Sequence, residues 1–450
     1  MKEKVKETAR LGDKSSAFDG RVLLGLDTLG LNPVSQRHVA AGSRAGVWLI
    51  GCEIEDETAR YCRECGAMGR VRSSRRRRLA HTPVGQHAVH LLVRVRRYEC
   101  AACARSWTDD LTRIADRGRR LTNAAVWWAA AEAALKSKSV SACAHDLHCS
   151  WGALNRAVLE KGAGVLAADP RRLDDVESIG VDEHVWRHAR TGGRYVTVIV
   201  DLTPRRHGRP ARLLDMVEGR SEKAFARWLA ERPRSFRDRV KEVAMDGFAG
   251  YKRAAARQVP RAVEILDPFH VVRLAGDRLT AVRCRLQREA TGRRGRRDDP
   301  LYKGRRILLR TAGLRTDRQQ ARVDMLLADP ANRPLALAHG VYQRIIDCYA
   351  QGDRGKGRGM MAELIESLAV RGAAPGCPEI AALGRTLKRR MADVLAFFDH
   401  PHGANGPTEA INGRLETLRG VALGFRSLGN YIVRSLLHTG GFRQAIQAHL

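Results

Sequence analysis

Residues 241–272 read KEVAMDGFAGYKRAAARQVPRAVEILDPFHVV, and this stretch decides the fold class. Its first part predicts a short apolar strand that ends at Asp246, and AVEILDPFHVV predicts a second strand that ends at Asp267. Between them, GYKRAAARQ has the composition of a helix. Strands that alternate with helices in this way are typical of α/β units.

Three further strands are predicted upstream. The run VESIGVDEHVWRH contains Asp182, GRYVTVIVDL is rich in β-branched residues, and ARLLDMVEG follows a turn at 204–210. A helix beginning at the N-cap residue Ser221 follows them. The order βββαβαβα, with three antiparallel strands before the alternating units, is the plan of a ribonuclease-H-like domain.

Two of the apolar strands carry a single acidic residue each, Asp182 and Asp246. A buried carboxylate costs several kcal/mol unless a cation or partner compensates it, so both are candidate ligands for Mg²⁺. Two such ions ~3.5–4 Å apart would support phosphodiester chemistry, and a third carboxylate would be needed. The alternative for either residue alone is a turn or cap.

The third carboxylate is expected in DHPHGANGPTEAINGRLETLRG, a Gly/Pro/Asn-rich loop followed by a helix. Glu409 falls in the first turn of that helix, beside the loop. Glu416, seven residues later, and Asn412, three residues later, share its face. We therefore predict Glu409 as the third ligand.

Four of the ten cysteines form two CxxC pairs, a spacing that predicts a structural zinc site with ligands Cys62, Cys65, Cys100 and Cys103. Unpaired thiols in a reduced cytosol are the alternative. The 34 residues between the pairs imply an inserted hairpin or loop, and they contain four consecutive arginines. We expect these to contact DNA: Arg75, Arg76, Arg77 and Arg78.

The charge of the chain indicates a polyanionic partner. The 450 residues include 80 Lys and Arg against 49 Asp and Glu, a net charge of +31 and a pI of about 10.7. Residues 60–120 alone hold 16 Arg against 5 acids. Nucleic acid fits this balance better than a membrane surface, because no basic amphipathic helix with an aromatic face stands out.

From Leu121 the pattern predicts helices, and the first stretch, LTNAAVWWAAAEAAL, is rich in Ala and lacks Gly and Pro. A short helix over Val140–Leu147, a turn at His148–Ser150 and a second helix from Trp151 to Lys161 then suit a helix-turn-helix. In the second helix we expect DNA contacts from two residues, Asn155 and Arg156.

The chain resembles transposases of the ISL-three family of bacterial insertion sequences, within the DDE superfamily. The resemblance lies in CRECG…YECAAC, GVDEHVWRH, the opening stretch and NGPTEAINGRLETLRGVALGFRSLGNY, and spans roughly residues 50 to 440. It implies a catalytic triad of Asp182, Asp246 and Glu409 holding two Mg²⁺ ions, with Mn²⁺ as a substitute. The DPFH stretch resembles the family's acidic-or-Cys-x2-His motif.

That motif makes Asp267 and His270 site-adjacent candidates, together with Asn412. A helix-capping Asp with a packed His is an equally good interpretation of the pair. The sequence departs from the family after Asn412, where Arg414 and Glu416 stand in a stretch that is usually Lys-rich.

The predicted fold class is α+β and multidomain. The predicted segments are an N-terminal segment 1–45, a zinc-binding module 46–112, a helix-turn-helix DNA-binding domain 113–170, a first part of the ribonuclease-H-like core 171–274, an all-helical insertion 275–398, and C-terminal helices of the core 399–450.

The predicted function is a transposase that binds terminal inverted repeats in double-stranded DNA and catalyses metal-dependent cleavage and strand transfer. A homodimer or higher oligomer is expected on DNA. With no apolar stretch of ~18 residues and no signal-peptide pattern in the first 20, the expected location is the bacterial cytoplasm, at the nucleoid. The alternatives are a non-catalytic zinc and helix-turn-helix regulator and a structure-specific nuclease of the same fold.

Overall fold

The computed structural model describes residues 20–41, 44–188, 192–293 and 295–450. The described chain forms two compact units. The first comprises the residues up to Val165 together with Arg443–Leu450, and the second comprises Leu166–Phe442. Part of the predicted segment 1–45 lies outside the described residues.

The first unit is built on a mixed five-stranded sheet. The strand order is β1-β2-β4-β3, with β5 paired to β4, and only the β2–β4 pair is parallel. The strands are β1 (Leu31–Ala41), β2 (Arg44–Ile54), β3 (Gly69–Val84), β4 (His87–Cys100) and β5 (Ser106–Thr108). The predicted boundary at 45/46 falls inside the β1–β2 hairpin, because antiparallel pairing ties those two strands together.

A long hairpin separates the two CxxC pairs. The four arginines Arg75–Arg78 lie within β3 rather than in a loop, because each pairs with a residue of Leu92–Val95 on β4. The run HAVHLLVRVRRYEC forms β4, whose apolar residues enter the core of the sheet. The arginine-bearing half of β3 is mostly exposed.

The helices of the first unit form a small cluster of their own. They are α1 (Gly20–Leu23), α2 (Asn123–Leu135), α3 (Val140–Asp146), α4 (Trp151–Ala167) and α17 (Arg443–Gln447). Ser139 caps α3, and Ser150 Oγ accepts a hydrogen bond from the Ala153 amide at the start of α4.

The α17 segment, Arg443–Leu450, belongs to the first unit although it follows the second unit in the chain. It packs on α2, where the ring of His449 stacks on Trp127 with centroids 3.9 Å apart. Ile446 is fully buried.

The second unit contains a five-stranded sheet of order β10-β9-β6-β7-β8. Its strands are β6 (Ser178–Val185), β7 (Tyr195–Asp201), β8 (Arg212–Glu218), β9 (Glu242–Met245) and β10 (Val263–Leu266). Strands β6, β7 and β8 pair antiparallel, whereas β9 is parallel to both β6 and β10. The five strands predicted over 176–270 are thus observed, and a short helix over Arg234–Arg239 that the sequence analysis did not predict precedes β9.

Helices cover both faces of this sheet, which explains why β7 is almost entirely buried. The helices of the second unit are α5 (Glu222–Ala230), α6 (Arg234–Arg239), α7 (Ala249–Gln258), α8 (Pro268–Thr291), α9 (Pro300–Leu308), α10 (Asp317–Ala328), α11 (Arg333–Ala350), α12 (Arg354–Ala369), α13 (Pro378–Arg389), α14 (Met391–Asp399), α15 (Gly406–Val421) and α16 (Leu428–Thr439). Phe225, Trp228 and Tyr251 pack on one face; Ile411, Leu415 and Tyr431 pack on the other.

The helices from α8 to α14 share a separate apolar core, to which Leu279, Leu335, Ile365 and Ile380 belong. They lie between β10 and α15 in the chain. No helix among the described residues is long and apolar enough to cross a bilayer.

The helix α15 reaches the central strand β6 through a glycine. A Cβ atom on Gly180 would lie 2.2 Å from Thr408 Oγ1 and 2.7 Å from Asn405 Oδ1. Both of those side chains are fully buried. Gly180 is therefore the residue that lets the start of α15 approach the sheet.

We expect Gly180→Ala to destabilise the second unit by about 1–3 kcal/mol, because two buried side chains would have to shift. Urea unfolding followed by circular dichroism measures the change. Gly413→Ala, on α15 itself, meets nothing within 4 Å and is the matched control. It should be neutral or slightly stabilising; equal stability of both variants would contradict the packing described here.

Candidate active site and zinc site

Three aspartates occupy the same position on three neighbouring strands, directly after the point where the parallel pairing ends. The last paired residues are Val181 with Met245 and Met245 with Leu266. Asp182, Asp246 and Asp267 each follow by one residue. Since paired strands lie ~4.8 Å apart, the parallel register brings three carboxylate-bearing residues together at one edge of the sheet.

Asp182 is held by two hydrogen bonds within the second unit. Its Oδ1 accepts from the Glu183 amide at 2.8 Å, and its Oδ2 accepts from Asn412 Nδ2 at 2.9 Å. Burial raises the pKa of Asp182 to about 7, and the negative charges of Asp246, Glu183 and Glu409 act in the same direction. A cation at this edge would relieve the crowding of negative charge.

Asp246 stands where β9 ends and the loop into α7 begins. Its Oδ1 accepts from the Phe248 amide at 2.9 Å. Burial raises the pKa of Asp246, while the nearby His270 and Arg390 oppose that shift. Arg390 also donates a hydrogen bond to the Gly247 carbonyl at 3.2 Å, which places its guanidinium beside this loop.

Asp267, His270 and Glu409 form the tightest group at this edge. One ligand atom from each lies within 4.8 Å of the others. Asp267 caps α8 by accepting from the Phe269 amide, and its other oxygen accepts from the Asn405 amide at 2.8 Å. Glu409 lies in the first turn of α15, and burial raises its pKa.

The loop and first turns of α15 join these groups to β6. Asn405 Nδ2 donates to the Val181 carbonyl at 3.4 Å, and Asn412 binds Asp182 one strand residue later. The helix therefore places Glu409 at the edge of the sheet where the three aspartates lie. The sequence predicted the position of Asn412 but not the bridging role of Asn405, for which the Asn before Gly-Pro was the available signal.

The structure sorts the predicted ligands into two sets. Asp182 and Asp246 are register neighbours, whereas Glu409 groups with Asp267 and His270. Within the described ranges, the predicted triad is not among the groups whose ligand atoms all lie within 4.8 Å. Asp267 caps helix α8, as one of the two interpretations of the Asp267 and His270 pair predicted. No pattern in the sequence pointed to Arg390.

The four predicted zinc ligands converge. Their ligand atoms all lie within 4.8 Å, and the Sγ pairs Cys62–Cys103, Cys65–Cys100 and Cys65–Cys103 are 3.6, 3.4 and 3.7 Å apart. Tetrahedral Zn²⁺ with Zn–S bonds of about 2.3 Å requires sulfur atoms about 3.8 Å apart. The residues fit a structural zinc ion.

The two knuckles repeat one backbone pattern. In the first, the Cys62 amide donates to the Ala67 carbonyl and Gly66 donates back to Cys62. In the second, Cys100 donates to Arg105 and Ala104 donates back. Amide groups of each turn face the first sulfur: the Cys103 amide lowers the pKa of Cys100 to about 7, which favours the thiolate that zinc binds.

A cavity of about 1390 Å³ in the first unit is lined by seven arginines. Four of them are the Arg75–Arg78 run of β3. The turn before α4 and its first residues, including His148, Ser150 and Ala153, line the same cavity, as do Asp109 and Asp110. Asn155 is half-buried and Arg156 exposed on α4.

We expect Asp182→Asn to stabilise the second unit, and more so at high pH. The pKa of Asp182 in the folded chain, about 7, exceeds the unfolded value of ~3.9, so ionising this carboxyl destabilises the folded state. The destabilisation increases as the pH rises from ~4 to 7 and stays constant above pH 7. The gain at pH 8 should exceed the gain at pH 5 by of order 2 kcal/mol.

Urea unfolding at both pH values, in buffer whose only divalent metal is the zinc already bound, measures this difference. The control is Asp277→Asn, an exposed carboxylate on α8, which should change stability equally little at both pH values. A pH-independent effect of Asp182→Asn would refute the raised pKa.

Two family models match the chain. A family model of DDE transposases of the ISL3 group, described as "Transposase", matches residues 179–435. A second model, described as the zinc-finger of transposase IS204/IS1001/IS1096/IS1165, matches residues 59–103. The first match covers more than half of the chain and contains the aspartate-bearing edge of the second sheet.

Two curated relatives carry matching names. The transposase for insertion sequence element IS1001 of Bordetella parapertussis is 28% identical over 375 residues, covering 81% of this chain and 85% of its own length. The transposase for insertion sequence element IS1557 of Mycobacterium tuberculosis is 25% identical over 309 residues, covering 63% of this chain and 65% of its own length. With its zinc knuckles and its aspartate edge both inside the matched regions, the chain belongs to the ISL-three family of DDE transposases.

Proposed function

We propose that this transposase cleaves DNA at the ends of an insertion sequence and joins them to a target, using Asp182, Asp246 and Glu409 as catalytic carboxylates. One observation carries the proposal: the parallel register of β6 and β9 sets Asp182 beside Asp246. The charge of Glu409 is close enough to raise the pKa of Asp182.

The topology of the second sheet supports a ribonuclease-H-like core. Its three antiparallel strands are followed by two parallel strands added on the other side of β6. The proposed core consists of residues 171–274 and 399–450, and the helices between β10 and α15 make up the proposed insertion 275–398. Among its described residues this insertion contains helices and no strands.

Two bound Mg²⁺ ions, or Mn²⁺ in their place, would activate the attacking oxygen and stabilise the leaving one. The chain's own residues provide oxygen ligands, which suit these ions. Asn412 fixes the Asp182 carboxylate through its hydrogen bond, and the Phe248 amide fixes that of Asp246. The attacking group is water in cleavage and the freed 3′-OH in joining, so no covalent enzyme intermediate is required.

The first unit is the proposed reader of the terminal inverted repeats. The zinc knuckles end the hairpin that bears Arg75–Arg78, and the α3–α4 pair is the proposed helix-turn-helix. Both line the arginine-rich cavity, whose charge suits a phosphate backbone. Asn155 and Arg156 are proposed base or phosphate contacts from α4.

Pairing two element ends requires more than one active site, so we propose a homodimer or higher oligomer on DNA. The substrate places the protein at the nucleoid in the bacterial cytoplasm. A structure-specific nuclease of the same fold would cleave branched DNA but would not join ends.

We expect Asp246→Asn to lower cleavage of terminal-repeat DNA by at least about 10³-fold while leaving end binding within about twofold, because it removes a proposed metal ligand without a change of volume. A Mg²⁺-dependent assay of 3′-OH release and joining, beside a gel-shift assay, measures both. Asp238→Asn, an exposed carboxylate on α6, should retain full cleavage.

Unchanged cleavage by the Asp246 variant would exclude the catalytic assignment. Cleavage of branched DNA without joining of element ends by the wild-type chain would favour the nuclease instead.

We expect the double variant Arg75→Ala, Arg76→Ala to bind DNA more weakly whatever the base sequence of the DNA. Both side chains are exposed, and among the described residues neither guanidinium has a hydrogen-bond or ion-pair partner. Losing two phosphate contacts should lower the slope of log K against log salt by about 1.8.

Fluorescence anisotropy over a salt series measures this slope. Lys136→Ala is the control, because Lys136 is exposed on the same unit but already pairs with Glu132. An unaltered slope in the double variant would show that the β3 arginines do not contact phosphate.

A further inference from the structure

We propose that Asp267, His270 and Glu409 form a divalent-metal site of mixed oxygen and nitrogen ligands, selective for ions such as Mn²⁺ or Zn²⁺ over Mg²⁺. It would lie beside the all-oxygen pair Asp182 and Asp246. The inference depends on the proposed function only through Glu409, which both assign to a metal.

The geometry is already close to that of a bound ion. The three ligand atoms lie within 4.8 Å of one another. Around a metal with bonds of about 2.1 Å, neighbouring ligand atoms are about 3 Å apart and opposite ones about 4.2 Å apart. Small side-chain rotations would therefore close the site.

His270 supplies the observation that points to a ligand. Its Nε2 atom is buried, yet it has no hydrogen-bond partner among the described residues. An unsatisfied buried polar atom costs about 1–3 kcal/mol and calls for an explanation. A metal ion bound to Nε2 would remove that cost, since a neutral imidazole nitrogen is among the commonest metal ligands.

Asp267 is held in place by backbone amides. Asp267 receives the Phe269 amide on one oxygen and the Asn405 amide on the other, which fixes the plane of its carboxylate. Asp267 is the N-cap of α8, and His270 lies three residues later in the first turn of the same helix. Such supporting hydrogen bonds orient ligands before the ion arrives.

The local charge also favours a cation. Arg273, one turn further along α8, is close enough to lower the pKa of Glu409. Its single positive charge is outweighed by the carboxylates of Asp267 and Glu409, and Asp246 lies on the neighbouring strand. The group thus keeps a net negative charge next to His270.

The ligand types decide which ions fit. Mg²⁺ prefers oxygen ligands and retains its water, whereas Mn²⁺ and Zn²⁺ accept imidazole readily. The edge would then offer two chemically distinct positions, one of carboxylates alone and one that includes a nitrogen. Mn²⁺ should occupy both, and only one of the bound ions should carry a nitrogen ligand.

The test uses the full chain with its zinc ribbon loaded and Mn²⁺ as the added probe. Electron paramagnetic resonance counts the bound Mn²⁺, and electron spin echo modulation detects ¹⁴N coordinated to it. The wild type should show nitrogen-coupled Mn²⁺. His270→Gln should lose that coupling and bind at least one Mn²⁺ about tenfold more weakly or worse.

Asp267→Asn provides a second variant, because Asn caps a helix as well as Asp but is a poorer metal ligand. It should weaken the same Mn²⁺. His402→Gln, on an exposed loop residue, is the matched control and should keep the coupling.

Absence of nitrogen coupling in the wild type, or its persistence in His270→Gln, would overturn the inference. So would weaker DNA binding by His270→Gln in metal-free buffer with unchanged Mn²⁺ binding, which would make His270 a DNA contact. Failure of the Asp246→Asn test with nitrogen coupling intact would instead reject the proposed catalysis and leave this metal site standing.

Discussion

The parallel pairing of β6, β9 and β10 is the constraint on which the second unit depends. Because the parallel pairing of the three strands stops at the same level, Asp182, Asp246 and Asp267 meet at one edge of the sheet. Burial and mutual repulsion make that edge expensive for a chain without a bound cation, as the raised pKa of Asp182 indicates. The folding free energy supplied by the apolar helices on both faces offsets this expense.

The helix α15 connects this edge to a residue far away in the sequence. Its approach needs the bare Cα of Gly180, the buried Asn405 and the bond from Asn412 to Asp182. These contacts determine where Glu409 lies. The hydrogen bond from the Asn405 amide to Asp267 also ties the loop before α15 to the start of α8.

Local patterns were enough to predict much of this from the sequence. Apolar strands ending in Asp246 and Asp267, the first turn containing Glu409 and the two CxxC knuckles are all short-range signals, and each is observed. Contacts between distant residues were not predictable in the same way. The grouping of Glu409 with His270 depends on tertiary packing. The length of the segment between the CxxC pairs implied a hairpin or loop without deciding between them, and pairing with β4 places the arginines in a hairpin strand.

The first unit takes its α17 segment from beyond the second unit in the chain. During synthesis, the face of Trp127 that His449 covers must therefore stay open until about 300 further residues have been added. The first unit thus reaches its final packing only after the second unit has been made. A ribosome that stops early would release a first unit that lacks this contact.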